Sequence, residues 1–80
     1  MYKDALKLIA DHLEKNGFTL DSEYEKYNLM YDLGLDSMDL MELFSVIEQK
    51  YNKVIDIDDY KELNLDIIGN LAKYICNDSN

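Results

Sequence analysis

The sequence predicts an all-α protein, a small four-helix bundle with three longer helices and one short helix. The chain has no proline and only three glycines in 80 residues, so little interrupts a helix. Lysine, glutamate, leucine, methionine and alanine, which favour helices, are plentiful. Apolar residues recur at helical spacing in several segments. Packing these apolar faces together would give the bundle one core.

The first helix is predicted over the segment before Gly17. Its apolar residues fall on one face, namely Tyr2, Leu6, Ile9, Ala10 and Leu13. Gly17 can end the helix because glycine readily adopts the left-handed conformation found after a last helical turn. The periodicity then lapses as far as Asp36. This apolar loop should lie against the core, with one short helical turn capped by Ser22 and Glu25.

The second helix is predicted over Met38 to Tyr51. Its buried face contains Leu40, Leu43, Phe44, Ile47 and Tyr51. Met38 falls on the opposite face, so we expect this apolar side chain to be exposed.

The remaining two helices are shorter. One is predicted around Asp59 to Leu63, where Asp58 or Asp59 can serve as N-cap. The last runs from about Ile67 to Cys76 and can be capped by Asp66.

Size and charge limit the classes of function. Eighty residues suffice for one small domain, so we expect a single domain over residues 1–80. The net charge is -9, with 17 acids against eight basic residues, all of them lysine. This charge opposes binding to nucleic acid or to anionic membranes and predicts basic partners. Ten acids and only three lysines lie between Asp32 and Asp66, which is where we expect docking.

The sequence predicts a cytoplasmic monomer. The single cysteine, Cys76, cannot form an internal disulfide. The first residues lack an apolar signal core, and no segment has the length of a membrane span. We therefore expect no stable membrane insertion.

Enzymatic interpretations fit poorly. The only histidine, His12, lies off the apolar stripe of its helix, and no G-x-S-x-G elbow surrounds Ser37. The segment "DIDDYKELNLDI" begins like a calcium loop but has Lys61 and Ile67 in place of the required glycine and glutamate. We expect neither catalysis nor a metal site.

The stretch "DLGLDSMDLMELF" places Ser37 one turn after Gly34 and between two aspartates. One interpretation is structural: Asp36 or Ser37 caps the second helix, with help from Asp39. In its full context, however, "LGLDSMDLMEL", followed by an acidic helix and by "LAKYI" near the end, resembles the acyl carrier protein family. The signature of that family is a serine in "LG-x-DS-[LM]".

The resemblance implies that Ser37 carries 4'-phosphopantetheine, derived from coenzyme A and attached through a phosphodiester. Acyl intermediates would be held as thioesters on the terminal thiol. The residues agree with this: Gly34 permits a sharp turn, and a phosphate at a helix N-terminus gains about 0.3–1 kcal/mol at an exposed site. Asp36 would help the phosphopantetheinyl transferase to engage its metal and coenzyme. A separate enzyme performs the modification, so this chain needs no general base.

The resemblance also implies docking residues on the second helix. Met38 matches the apolar contact beside the arm, while Asp39, Glu42 and Glu48 match acids that meet basic patches on acyl-transfer and synthase enzymes. Such charges steer encounter and orientation more than they add affinity.

The pathway is left open between alternatives. Fatty-acid or polyketide-type biosynthesis is the first hypothesis. The segment "VIDIDDYKELNLDII" lacks the proline of the usual family pattern, and "LNLDIIGNL" also resembles carriers for aminoacyl, peptidyl or D-alanyl groups. A hypothesis from another class is an acidic helical adaptor without any prosthetic group.

Overall fold

The computed structural model describes residues 1–76 and contains four α-helices. They are α1 (Tyr2–Lys15), α2 (Ser37–Tyr51), α3 (Ile57–Glu62) and α4 (Ile68–Cys76), with a 3₁₀ turn at Tyr24–Lys26 between α1 and α2. Over these residues there is no β-strand, and one isolated bridge pairs Asn28 with Ile67. The predicted all-α bundle of three longer helices and one short helix is confirmed.

One hydrophobic cluster joins the helices. α1 packs against α4 and α2, and α4 also contacts the 3₁₀ turn. The large side chains that are almost fully buried are Ile9, Leu13, Leu29, Leu43, Ile47, Leu65, Ile68, Leu71 and Ile75. α3 contributes no buried residue, but its Tyr60 packs edge-to-face on Phe44 of α2, with ring centroids 5.7 Å apart.

The long loop between α1 and α2 lies against this core, as predicted. Leu29 is completely buried and Leu35 is 3% exposed. The Leu29 N–H donates to the Asp66 carbonyl (2.7 Å), and the Ile68 N–H donates to the Tyr27 carbonyl (3.1 Å). The loop is therefore fastened to the start of α4 by backbone hydrogen bonds as well as by apolar contact.

Two of the predicted helix caps are wrong. α3 begins at Ile57, earlier than predicted, so its N-cap is Asp56, whose carboxylate accepts the N–H groups of Asp58 and Asp59. α4 begins at Ile68, and the Asp66 carboxylate accepts a hydrogen bond from the Asn28 side chain instead (2.7 Å). Asp56 therefore caps α3, whereas Asp66 links the start of α4 to the long loop through the Asn28 side chain.

The predicted capping box at Ser22 and Glu25 is also absent. The short turn is present, but Glu23 is its N-cap and makes no side-chain cap hydrogen bond. The Asp21 carboxylate accepts the Glu23 N–H (2.9 Å). Glu25 turns towards α1, where it accepts the Tyr2 hydroxyl (2.5 Å).

Because of the hydrogen bond between Tyr2 and Glu25, we expect the stability of the fold to fall at alkaline pH. The pKa of Tyr2 is raised to about 12, from 10.0 for a free tyrosine. The main cause is the Glu25 carboxylate that accepts its hydrogen bond, and partial burial is the second. Because the folded-state pKa is raised, this contribution to stability is fully present below pH 10 and is lost as the pH rises through about 12. In a pH titration, Tyr2→Phe should therefore lose phenolate absorbance from the part of the curve near pH 12. Loss of that absorbance near pH 10 instead would contradict the raised pKa.

Candidate functional site

The chain enters α2 through a turn that requires glycine. Gly34 has φ +81°, a left-handed conformation that side-chain-bearing residues rarely adopt. A Cβ atom there would meet nothing within 4 Å, so backbone conformation rather than space favours glycine. The next residue, Leu35, buries its side chain and donates its N–H to the Leu29 carbonyl (2.9 Å). Leu35 thus holds the start of α2 against the core, while Asp36, Ser37 and Met38 are exposed.

A reciprocal capping box begins α2. The Asp39 N–H donates to Asp36 Oδ1 (2.9 Å), and the Asp36 N–H donates to Asp39 Oδ2 (3.1 Å). Asp36 is extended, with φ -97° and ψ -176°, and is the N-cap. Of the two cap candidates that the sequence left open, Asp36 is therefore the one used.

Ser37 is the first residue of α2 and is exposed to solvent. Because Asp36 and Asp39 complete the cap, the Ser37 hydroxyl is not needed for it. Among the described residues, the N–H groups of Ser37 and Met38 have no acceptor, as is usual for the first turn of a helix. An accessible hydroxyl therefore lies beside free backbone donors at the positive end of a helix.

This arrangement fits a phosphate ester on Ser37. Free N–H groups and the helix dipole favour an anion at this position. The carboxylates of Asp36 and Asp39 oppose it, but both accept backbone hydrogen bonds, and solvent screens charges at an exposed site. Ser37 is itself exposed to solvent.

The capping geometry predicts a contrast between two substitutions of Asp36. Asp36→Ala should lower the free energy of unfolding by about 0.5–2 kcal/mol, since it removes the acceptor for the Asp39 N–H. Asp36→Asn should cost much less, because asparagine caps about as well as aspartate. Urea unfolding of both variants measures the difference; an equal loss in the two would argue against the cap.

The predicted site residues lie at different places along α2. Asp36, Met38, Asp39 and Glu42 line one shallow groove of about 260 Å³ next to Ser37. Met38 is 76% exposed, as expected. Glu48 lies farther along α2, is half-buried, and lines a separate groove near the C-terminal end of the helix. The structure therefore brings together all of the predicted site residues except Glu48.

Sequence reasoning missed two features of this surface. Met41 is 68% exposed, and its spacing of three residues from Met38 was a usable signal. A larger groove, of about 500 Å³, separates this face of α2 from the C-terminal end of α1, where His12, Lys15 and Asn16 form the opposite wall. That wall had no sequence signal, because it depends on how the two helices pack.

Over residues 1–76, no three side chains of histidine, cysteine, aspartate or glutamate form a cluster able to hold a metal ion. In the same part of the chain, no helix combines the length and the apolar character needed to cross a membrane.

Comparison with known proteins shows which family this chain is similar to. A family model described as "Phosphopantetheine attachment site" matches residues 6–75. An acyl carrier protein of Helicobacter pylori strain J99 is 32% identical over 75 residues, covering 94% of this chain and 90% of the relative. The acyl carrier protein of Exiguobacterium sibiricum is 35% identical, covering 90% of this chain and 85% of the relative. That of Wolinella succinogenes is 28% identical, covering 94% of this chain and 92% of the relative. No solved structure matches this chain significantly.

Proposed function

This chain belongs to the acyl carrier protein family, whose domain holds the phosphopantetheine attachment site, and we propose that Ser37 is the residue to which the arm is attached. One observation carries the proposal. Ser37 is exposed at the first position of α2, while the Asp36–Asp39 capping box performs the structural task that a serine there could otherwise serve.

The proposed attachment needs little chemistry from this chain. Ser37 Oγ would form the new bond to the pantetheine phosphorus of coenzyme A, the nucleotide half would leave, and a base on the transferase would take the hydroxyl proton. Asp36 would supply negative charge for the metal and coenzyme that the transferase brings. The free N–H groups of Ser37 and Met38 favour the resulting phosphodiester. When bound, the arm provides a thiol that carries acyl groups as thioesters.

Members of this family are carriers rather than catalysts, and synthases and transferases act on them. We propose that residues 1–80 form one monomeric carrier domain in the cytoplasm, serving fatty-acid or polyketide-type biosynthesis. The names of the relatives support an acyl cargo.

The attachment is tested by incubating the protein with coenzyme A, magnesium and a broad-specificity phosphopantetheinyl transferase. Intact mass measurement should show the gain of one arm, whereas an unchanged mass would contradict the proposal.

The modified protein is then offered to malonyl-transfer enzymes and to amino-acid-adenylating enzymes. Charging by the first set supports an acyl carrier, and charging only by the second would make it an aminoacyl, peptidyl or D-alanyl carrier.

We also propose that Asp39, Glu42 and Glu48, with Met38, dock partner enzymes that have basic patches. Reversing the charge in Glu42→Lys should reduce the association rate with such an enzyme by on the order of 10-fold at low salt, since exposed charges act mainly on encounter. The effect should shrink as salt is added. Stopped-flow fluorescence measures this rate.

Glu14→Lys is the matched control. Glu14 is an exposed acid on α1 that lines none of the grooves beside α2. Glu14→Lys makes the same change in net charge as Glu42→Lys. If both variants slowed association equally, net charge rather than the α2 surface would govern docking.

A further inference from the structure

Asn28 organises the loop that precedes α2. Its side-chain Oδ1 accepts the N–H groups of Met30 and Tyr31, both at 2.9 Å, in a turn that asparagine forms readily. The Asn28 carbonyl accepts the N–H groups of Asp32 (3.0 Å) and Leu33 (3.2 Å). The Asn28 N–H donates to Asp32 Oδ2 (2.7 Å). A single half-buried residue therefore holds the chain that follows it.

The hydrogen bonding continues from this turn as far as α2. The Gly34 N–H donates to the Met30 carbonyl (3.0 Å), and the Leu35 N–H donates to the Leu29 carbonyl (2.9 Å). Leu29 and Leu35 are both buried, so contacts with the core reinforce these bonds. α2 begins with Ser37, two residues after Leu35. Because the loop is bonded along its length, a displacement of the loop would displace the start of α2 and its exposed hydroxyl.

The Asn28 side chain also ties this loop to the start of α4. Its Nδ2–H donates to Asp66 Oδ2 (2.7 Å), a bond that is partly buried and is strengthened by the charge of its acceptor. The N–H of the next residue, Leu29, donates to the Asp66 carbonyl (2.7 Å). Since α4 packs against α1 and has five buried residues, this link fixes the place of the loop relative to the rest of the bundle.

We infer that Asn28 is a positioning residue for the modification of Ser37; this rests on the proposed attachment at that serine. Asn28 does not touch the hydroxyl, but it holds the backbone that presents it. The transfer requires Ser37 Oγ to be aligned with a phosphorus atom in the transferase, and a small misplacement of a reacting atom slows such a step strongly. The Asp36–Asp39 capping box begins the helix, whereas Asn28 sets where the helix begins relative to α4.

The first test measures the kinetics of modification in Asn28→Ala. Initial rates with coenzyme A, magnesium and a broad-specificity transferase are followed by intact mass at increasing concentrations of the carrier. We expect kcat to fall by on the order of 10-fold. The KM for the carrier should change little, because the acids of α2 proposed for docking are retained. A fold that was merely less stable would lower the concentration of folded carrier, which would raise the apparent KM and leave kcat unchanged. That outcome would overturn the inference.

Exchanging the two side chains tests the link to Asp66 even if Asn28→Ala folds poorly. Asn28→Asp keeps the acceptor for the loop N–H groups but places two carboxylates together, so its kcat should fall. Asp66→Asn keeps an oxygen that can accept from Asn28, so its kcat should change little. The double variant again sets one donor against one acceptor, and its kcat should return to within about threefold of that of the unchanged protein. A double variant as slow as Asn28→Asp would overturn the inference.

Asn70→Ala is the matched control. Asn70 is also a half-buried asparagine, and its side chain donates to the Asn64 carbonyl (3.2 Å), but it lies in α4 and not in the loop before Ser37. We expect its kcat to equal that of the unchanged protein, and a fall as large as in Asn28→Ala would overturn the inference. No mass gain in the unchanged protein would overturn the attachment and the inference together. A mass gain with the same kcat in every variant would overturn the role of Asn28 alone.

Discussion

Ser37→Ala will lose all attachment of the arm when treated with coenzyme A, magnesium and a transferase. Alanine removes the one oxygen that our proposal allows to form the phosphodiester. It should leave the fold intact, because the Ser37 side chain is exposed and the cap of α2 is made by Asp36 and Asp39. Intact mass gives the extent of modification, and circular dichroism gives the helix content. A full mass gain in this variant would contradict the assignment.

Ser45→Ala is the matched control for this result. Ser45 is also an exposed serine on α2, and it differs from Ser37 in lying away from the helix N-terminus. We expect modification of Ser45→Ala to equal that of the unchanged protein. Loss of modification in both variants would mean that the transferase requires an undisturbed helix surface rather than one hydroxyl.

Leu29→Ala should lower the free energy of unfolding by about 2–5 kcal/mol, the usual cost of a leucine deleted from a core. Leu29 lies in the loop before α2 but is completely buried, and its backbone N–H bonds the Asp66 carbonyl. For a domain of this size the loss is a large part of the total stability. Urea unfolding measures it.

Tyr31→Ala provides the comparison from the same loop. Tyr31 is 88% exposed, so its truncation should change stability by no more than about 0.5 kcal/mol, although a larger side chain is removed. Equal losses in Leu29→Ala and Tyr31→Ala would contradict the conclusion that this loop forms part of the core.

The longer helices were predictable because each has a clear apolar face. Ile9, Leu43 and Leu71 follow the helical period and are all buried. The exposure of Met38 followed from the same projection. Local periodicity therefore predicted the buried faces of these helices and the exposure of Met38.

The helix ends were harder to predict because several aspartates competed. Asp56, Asp58 and Asp59 are all good caps, and which one is used depends on where the backbone leaves its extended conformation. Asp66 bonds Asn28, 38 residues away in sequence, and only the packing of the loop on α4 brings them together.

Some features of the candidate site could also be predicted from the sequence, and others could not. The motif around Ser37 is local, so its position at the start of α2 was predictable. Whether Asp36 or Ser37 caps the helix depended on backbone angles, and the basic wall provided by Lys15 depended on the packing of α1 against α2. Neither the backbone angles nor the packing of α1 against α2 could be read from the sequence pattern.

The most direct measurement of the central claim is the location of the arm on the modified protein. After proteolysis, tandem mass spectrometry of the peptides should place one phosphopantetheine group on Ser37 and none on Ser22 or Ser45. A group found on another residue, with Ser37 unmodified, would contradict the account.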